Sequence, residues 1–314
     1  MNSEINKKPK LIVLLGPTAC GKTSWSLRLA KKFNGDIISA DSRQVYKDMN
    51  IGTAKEPGEW LRIGLRKTFF VQDIPHHLID FLDPGKQFTI SEFRDKALKY
   101  VKLAVKNRRQ PFVVGGTGLY ISALVDNFKI PKIPANKKLR NSLSEKSIDE
   151  LFELLTLIDP ESAKKIDKKN KRRVIRALEV SILSGEPFSK QKIKGEQLFN
   201  CLKIGIETDR EVLYKRIDER VDQMIKDGLE QEVKKLVDKK YIWELPSMSG
   251  IGYRQFKDYF DGKISLKQVV ENLKKETRRY AKRQLTWFRR DKDIKWCKTY
   301  EEAEELVCRF LECK

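Results

Sequence analysis

The segment that most constrains this chain is LIVLLGPTACGKTSWSLRLA, residues 11–30. Five consecutive apolar residues, 11–15, read as a strand buried on both faces, the pattern of a parallel sheet. GPTACGKT follows and fits the spacing GxxxxGK[ST], with Gly16, Gly21, Lys22 and Thr23 at the fixed positions. Trp25, Leu27, Leu29, Ala30 and Phe33 then recur as on a helix. Strand, glycine-rich turn and helix in this order make an anion-binding loop, because the backbone N–H groups of the turn and helix start converge on one point. Lys22 adds a point charge, and the Thr23 hydroxyl can sit on Mg²⁺. The motif alone does not say whose phosphates it holds.

The rest of the chain repeats the alternation. Residues 36–40, DIISA, read as a second strand ending at Asp41. Thr89 and Glu92 have capping-box spacing before a helix whose Phe93, Ala97, Val101 and Ala104 share a face. Residues 111–114, PFVV, read as a buried strand closed by Gly115 and Gly116. Strands alternating with helices predict an α/β fold, a P-loop NTPase-like parallel sheet flanked by helices. Beyond Leu124 the character changes. Residues 129–200 carry 17 Lys/Arg against 10 Asp/Glu, punctuated by Pro131, Pro134 and Pro160, and read as an inserted, mainly helical lobe. The expected division is therefore 1–125 with 201–314 as the core and C-terminal helices, and 126–200 as the insertion. Residues 201–206 resume a strand pattern, and Thr208 with Glu211 predicts a second capping box before a helix broken near Gly228. The remainder reads as helical to the end.

Net charge is +21, from 65 Lys/Arg against 44 Asp/Glu. That excess favours a polyanionic partner. It is clustered: residues 164–176 hold eight Lys/Arg against Asp167, and residues 274–298 hold eleven against three acids. The second cluster interleaves Trp287 and Phe288 with Arg283, Arg289 and Arg290, which can be stacking surfaces or core. Five scattered cysteines and the adjacent His76 and His77 give neither a zinc spacing nor a disulfide framework. The longest apolar run has five residues, far below the ~20 of a membrane span. The first ten residues carry no apolar stretch of a secretory signal, so a cytoplasmic location is expected, without a membrane partner.

An ATPase with such a loop usually holds metal with an Asp after a later apolar strand. Here that strand ends in VVGGTG, and residues 69–73, FFVQD, are a weak substitute. The acid instead follows the second strand, as Asp41 in ADSRQVY. Two readings of Asp41 stand at this point: the cap of the following turn, or a general base acting beside a bound phosphate.

GPTACGKT, DSRQVYKDMNIGTAK, IPHHLID, VGGTGLYISAL, RRVIRALEV, RIDERVDQM, IGYRQ and AKRQLTWFRR stand in the order seen in tRNA dimethylallyltransferases, also called tRNA isopentenyltransferases. The chain resembles that family over about residues 11–290. The resemblance implies transfer of the five-carbon group of dimethylallyl diphosphate to the N6 amine of adenosine 37 in tRNA, with Mg²⁺ as cofactor. It implies that Gly16, Pro17, Thr18, Ala19, Cys20, Gly21, Lys22 and Thr23 cradle the diphosphate. Asp41 would be the general base, Thr23 a diphosphate and Mg²⁺ contact, and Arg220 a second grip on the diphosphate. Contacts to the tRNA anticodon stem-loop would come from Asp41, Ser42, Arg43, Gln44, Thr117, Arg140, Arg172, Arg173, Arg176, Arg283 and Gln284. Glu56 stands where the family often has proline. No Cys/His pattern marks the zinc finger of eukaryotic relatives, so the bacterial-length form is expected. A monomer is also expected. Two rivals share the phosphate loop: a kinase of a nucleoside or small metabolite, which leaves the charge unexplained, and an RNA-binding ATPase, which leaves Asp41 with Arg220 unexplained.

Overall fold

A computed structural model of the chain describes residues 8–128, 133–191 and 194–312. Pro131, one of the prolines that punctuate the insertion in sequence, and Cys313 lie outside the described residues. The elements in chain order are β1 (Lys10–Leu15), α1 (Lys22–Lys32), β2 (Gly35–Ser39), β3 (Glu59–Ile63), β4 (Arg66–Val71), β5 (Ile74–His77), α2 (Ile90–Lys106), β6 (Gln110–Gly115) and α3 (Gly118–Val125). There follow α4 (Lys137–Glu145), α5 (Ile148–Ile158), α6 (Pro160–Lys165), α7 (Lys171–Ser184) and α8 (Phe188–Gln191). The chain then runs through β7 (Asn200–Ile206), α9 (Arg210–Lys226), α10 (Leu229–Asp238), α11 (Lys257–Phe260), α12 (Leu266–Phe288), β8 (Lys295–Cys297) and α13 (Tyr300–Leu311).

The eight strands form one sheet in the order β3-β4-β5-β2-β6-β1-β7-β8. From β5 to β8 the strands are parallel, with β1 between β6 and β7. The apolar run of β1 is explained by its two covered faces. Leu11, Val13 and Leu15 pack in one core with Phe93, Ala97 and Val101 of α2. Ile12 and Leu14 point the other way, into a core with Leu27, Leu29 and Ala30 of α1. The expected helix-flanked parallel sheet is thus observed.

The structure corrects three local readings and adds an element that the sequence analysis did not identify. The segment after residue 208 is not wholly helical: β8 adds an edge strand beside β7, with Ile206 opposite Cys297. Three residues are too few to give a period. Residues 59–77 form an antiparallel extension, which a sequence pattern could not reveal because every residue of β3 is exposed. Asp73 sits in the β4–β5 turn with φ of 63°. Because β4 runs against the parallel strands, that turn is at the end of the sheet away from the phosphate loop, so Asp73 is no substitute for a metal-holding acid. Finally, α9 is capped by Asp209, whose carboxylate accepts from Glu211 N and Val212 N, not by a Thr208–Glu211 box. The Thr89–Glu92 capping box is present in full.

The backbone separates into two compact units, one made of residues up to Val125 together with those from Leu198 onward, the other of residues 126–197. A third core of the first unit gathers Val45, Met49, Val221, Met224, Leu229, Val233, Tyr253 and Phe256. The second unit packs α4 to α7 around Leu143, Leu151, Leu155, Val174 and Leu178.

Candidate active site

The phosphate loop leaves β1 at Gly16 and enters α1 at Lys22. Gly21 adopts φ of +97°, which a side chain would resist, and caps α1 without a side-chain bond. The N–H groups of Ala19, Gly21, Lys22 and Thr23 meet no acceptor among the described residues. They are the orphan donors of a helix start, concentrated where the helix dipole favours an anion. The Lys22 ammonium folds back on the loop, donating to Gly16 O at 3.0 Å and Pro17 O at 2.6 Å. The Thr23 hydroxyl has no hydrogen-bond partner among the described residues, which leaves it open toward a cation or phosphate oxygen.

Two side chains from distant helices hold Thr18. The Thr18 N–H donates to Gln284 Oε1 at 2.8 Å, and the Thr18 hydroxyl accepts from the Arg220 guanidinium. Burial pulls the Arg220 pKa down, while the charge of Asp41 opposes that shift. Its Nε is buried without a hydrogen-bond partner among the described residues. A guanidinium stays charged under such conditions, so a positive group with spare donors faces the loop.

Asp41 follows β2. Its Oδ1 accepts from Arg43 N at 2.8 Å and Gln44 N at 3.3 Å, the local turn bonding that a cap makes. Its Oδ2 has no hydrogen bond among the described residues. Both sequence readings of Asp41 are therefore compatible, one oxygen for each. Thr117 joins the ends of β2 and β6: its N–H donates to Ala40 O at 3.1 Å and its hydroxyl accepts from Ser42 N at 3.1 Å. A cavity of about 440 Å³ brings Thr18, Asp41, Thr117, Arg220, Tyr280 and Arg283 together. Burial, with Asp41 adding to it, pushes the Tyr280 hydroxyl up to about 12, so it is a donor at neutral pH. A larger cavity, about 1270 Å³, lies against Ala19, Cys20 and Gly21 but contains neither Asp41 nor Arg220.

Several residues expected at the RNA surface are committed to the protein. Arg43 donates to Pro246 O, and Gln44 donates to Thr53 O and Ala54 O at 3.2 and 3.1 Å. Gln284 is buried, with Nε2 donating to Gly116 O at 2.9 Å, so it braces the phosphate loop against the loop after β6 instead of facing solvent. Phe288 is buried in the core, and Trp287 packs on Gly118, where an added Cβ would stand 2.2 Å from its ring. Neither is an open stacking platform. Arg283 is exposed and lies over the Tyr280 ring. In the second unit, Arg140 makes paired bonds of 2.8 Å to the fully buried Glu179, and Arg176 adds one of 2.6 Å. Arg172 and Arg173 are exposed, with no ion-pair partner among the described residues. His77 is structural: it is buried, pairs with Asp36 at 3.1 Å and stacks on Tyr100. Burial lowers the neighbouring His76 to about 4.

Sequence reasoning passed over Tyr280. The available signal was its spacing of four from Gln284, which puts both on one face of α12. No group of three or more His, Cys, Asp or Glu that could hold a metal exists among the described residues.

Comparison with known proteins gives a consistent result. The family model described as IPP transferase matches residues 44–291, and that described as isopentenyl transferase matches residues 9–73. A tRNA dimethylallyltransferase of Anoxybacillus flavithermus is 44% identical over 289 residues, covering 91% of this chain and 89% of the relative. The crystal structure of a full-length tRNA isopentenylpyrophosphate transferase from Bacillus halodurans is 39% identical, with a TM-score of 0.70 and 97% of each chain covered. A eukaryotic dimethylallyltransferase captured acting on tRNA is 30% identical, with a TM-score of 0.72, covering 89% of this chain and 70% of that one.

Proposed function

The chain belongs to the IPP transferase family, and on that premise we propose that it is a tRNA dimethylallyltransferase, moving the five-carbon group of dimethylallyl diphosphate onto the N6 amine of adenosine 37 in the tRNA anticodon loop. The observation that carries the reading is one cavity in which Thr18 of the phosphate loop and the Arg220 guanidinium meet Asp41, whose Oδ2 has no hydrogen bond among the described residues.

The diphosphate takes the orphan N–H groups of Ala19, Gly21, Lys22 and Thr23, and Arg220 meets it from α9. Lys22 must turn from the Gly16 and Pro17 carbonyls to reach it. As the C1–O bond of the donor breaks, these groups neutralise the charge growing on the leaving diphosphate. The N6 lone pair forms the new bond to C1, and Asp41 Oδ2 takes the N6 proton. Adenine must leave its stack to reach the cavity, at a cost of a few kcal/mol offset by contacts there. The Thr23 hydroxyl, which has no hydrogen-bond partner among the described residues, would hold Mg²⁺ together with the diphosphate; no group of three or more His, Cys, Asp or Glu that could hold a metal exists among those residues. When bound, Mg²⁺ lowers the charge on the leaving group. A tRNA substrate favours a cytoplasmic place of action for this chain. No helix among the described residues is long and apolar enough to cross a membrane.

Radiolabel transfer from dimethylallyl diphosphate to unmodified tRNA tests the reading. Asp41→Asn should lower turnover by about 10²–10⁴ while tRNA affinity stays within a few fold, because the proton moves only in the transition state. Near-normal turnover would leave Asp41 as a cap alone.

A further inference from the structure

Two motifs in this chain, IGTAK at 51–55 and IGYRQ at 251–255, touch neither the phosphate loop nor the free oxygen of Asp41 in any bond described so far. The structure joins them through a third residue, Glu232 on α10. Its Oε2 accepts from Asn50 N at 2.8 Å and Ile51 N at 2.8 Å. Its Oε1 accepts from Gly52 N at 3.0 Å and from the Tyr253 hydroxyl at 2.7 Å. Three consecutive backbone N–H groups on one carboxylate leave the loop little freedom. The approach is close: a Cβ on Gly52 would stand 2.6 Å from the Tyr253 ring, and one on Gly252 would stand 2.9 Å from Gly52 O.

The loop so held does two things. Gly52, Thr53 and Ala54 line the cavity that contains Asp41 and Arg220. The Thr53 and Ala54 carbonyls also accept both bonds from the Gln44 side chain. The Gln44 N–H, beside that of Arg43, is on Asp41 Oδ1. A run of hydrogen bonds and backbone therefore leads from Glu232 through residues 50–54 and Gln44 to Asp41 Oδ1, the oxygen whose bonding leaves Oδ2 without a partner among the described residues. Fixing Oδ1 fixes where Oδ2 points.

From this geometry we infer that Glu232 is a positioning residue for prenyl transfer: it seats the loop of residues 50–54 and, through Gln44, aims Asp41. The inference rests on the reading of Asp41 as general base. It also explains why a carboxylate stands there. Two oxygens, each with two lone-pair sites, can accept all four donors. A glutamine offers one such oxygen, and its amide N–H groups would face donors at the other position. Whichever way it turned, Glu232→Gln would lose two of the four bonds.

The test is a double-mutant cycle on the full chain, scored by steady-state prenyl transfer well below each variant's melting temperature. Misplacement of a catalytic group by about 1 Å can cost on the order of a hundredfold, so Glu232→Gln should lower kcat about ten- to a hundredfold. KM for tRNA and inhibition by pyrophosphate should stay within about twofold, because Glu232 itself lines neither the Asp41 cavity nor the phosphate loop and changes the aim of Asp41, not the groups that grip the diphosphate. In an Asp41→Asn background the same change should have almost no further effect on kcat, since the group it aims is gone. Tyr253→Phe, which removes one bond of four, should show the same pattern at smaller size and carries the cycle if Glu232→Gln does not fold. Losses that multiply in the double variant, or that fall on KM instead of kcat, would make Glu232 a stabiliser of the fold only. Full turnover in Glu232→Gln beside a dead Asp41→Asn would overturn the inference alone. An active Asp41→Asn would overturn the reading of Asp41, and the inference with it.

Discussion

Gln284 offers the sharpest test of how the phosphate loop is held. Its amide spans from Thr18 N to Gly116 O, two groups on different loops, and it is buried. Gln284→Leu keeps much of the volume and removes both polar ends. The Gly116 carbonyl is buried, so it is left without a donor, at about 1–3 kcal/mol. Thr18 is half-exposed, and water can replace its missing acceptor, so that bond contributes only about 0.5–1.5 kcal/mol. The expected destabilisation is about 2–4 kcal/mol, read as a lower urea midpoint by tryptophan fluorescence with an unchanged slope. Thr18 also receives the Arg220 bond, so a loop released from Gln284 loses the alignment of both. Pyrophosphate affinity by calorimetry should fall by about fivefold, the worth of one net hydrogen bond. The refuting outcome is specific. Unchanged stability and pyrophosphate affinity, with weakened tRNA binding, would mean that Gln284 faces the RNA, as its place in AKRQLTWFRR implies by resemblance.

Two further predictions concern the inserted unit. Replacing the exposed Arg172 and Arg173 by Gln should weaken tRNA binding and flatten its salt dependence by about 0.7–0.9 log units for each phosphate no longer neutralised, with binding of the prenyl donor unchanged; parallel salt slopes would show that neither touches RNA. Glu179→Gln should destabilise the unit around α4 and α7 by about 2–3 kcal/mol, less than the ~3–5 of a fully buried pair because both arginines keep some exposure, and hydrogen exchange on those helices reads it. Burial alone would raise the Glu179 carboxyl, but bonds from Arg140, Arg176 and Asn136 N outweigh it and hold the pKa below its ordinary value. A carboxyl depressed in the folded state stabilises above its unfolded pKa and loses that contribution as pH falls through the folded one. The difference between wild type and Glu179→Gln should therefore be full at neutral pH and shrink below about pH 4. A difference independent of pH would show that the charge does not matter.

Legibility in sequence followed the range over which each feature acts. The phosphate loop, β1 and the Thr89–Glu92 box are written within a few neighbouring residues, because chain direction, helix start and cap are local properties. The strand β3 was hidden for a physical reason: an exposed edge has no buried face, and alternation is only the trace of a buried face. Charge density misled in a different way. The run at 164–176 marks a surface that can meet a polyanion, but density does not say which cations already have a carboxylate. Arg176 does, three residues along its own helix, and Arg140 reaches the same Glu179 from α4. Among the described residues of that run, Lys169, Arg172 and Arg173 are exposed and have no carboxylate partner, so their charge is open to a partner. If Arg140 and Arg176 also touch RNA, they do so with guanidinium edges whose direction Glu179 has already fixed. Planar groups held this way suit a defined phosphate geometry better than free lysines do. The same logic separates the two halves of the candidate site. Asp41 and the phosphate loop could be found from local motifs, whereas the bracing roles of Gln284 and Glu232 act across 266 and 182 residues of chain; AKRQLTWFRR singles out Gln284 but not that role, and no motif singles out Glu232. Their chemistry is legible only once the fold brings α10 and α12 against the loops they brace. The motifs IGTAK and IGYRQ looked independent in sequence because a single carboxylate between them carries the connection.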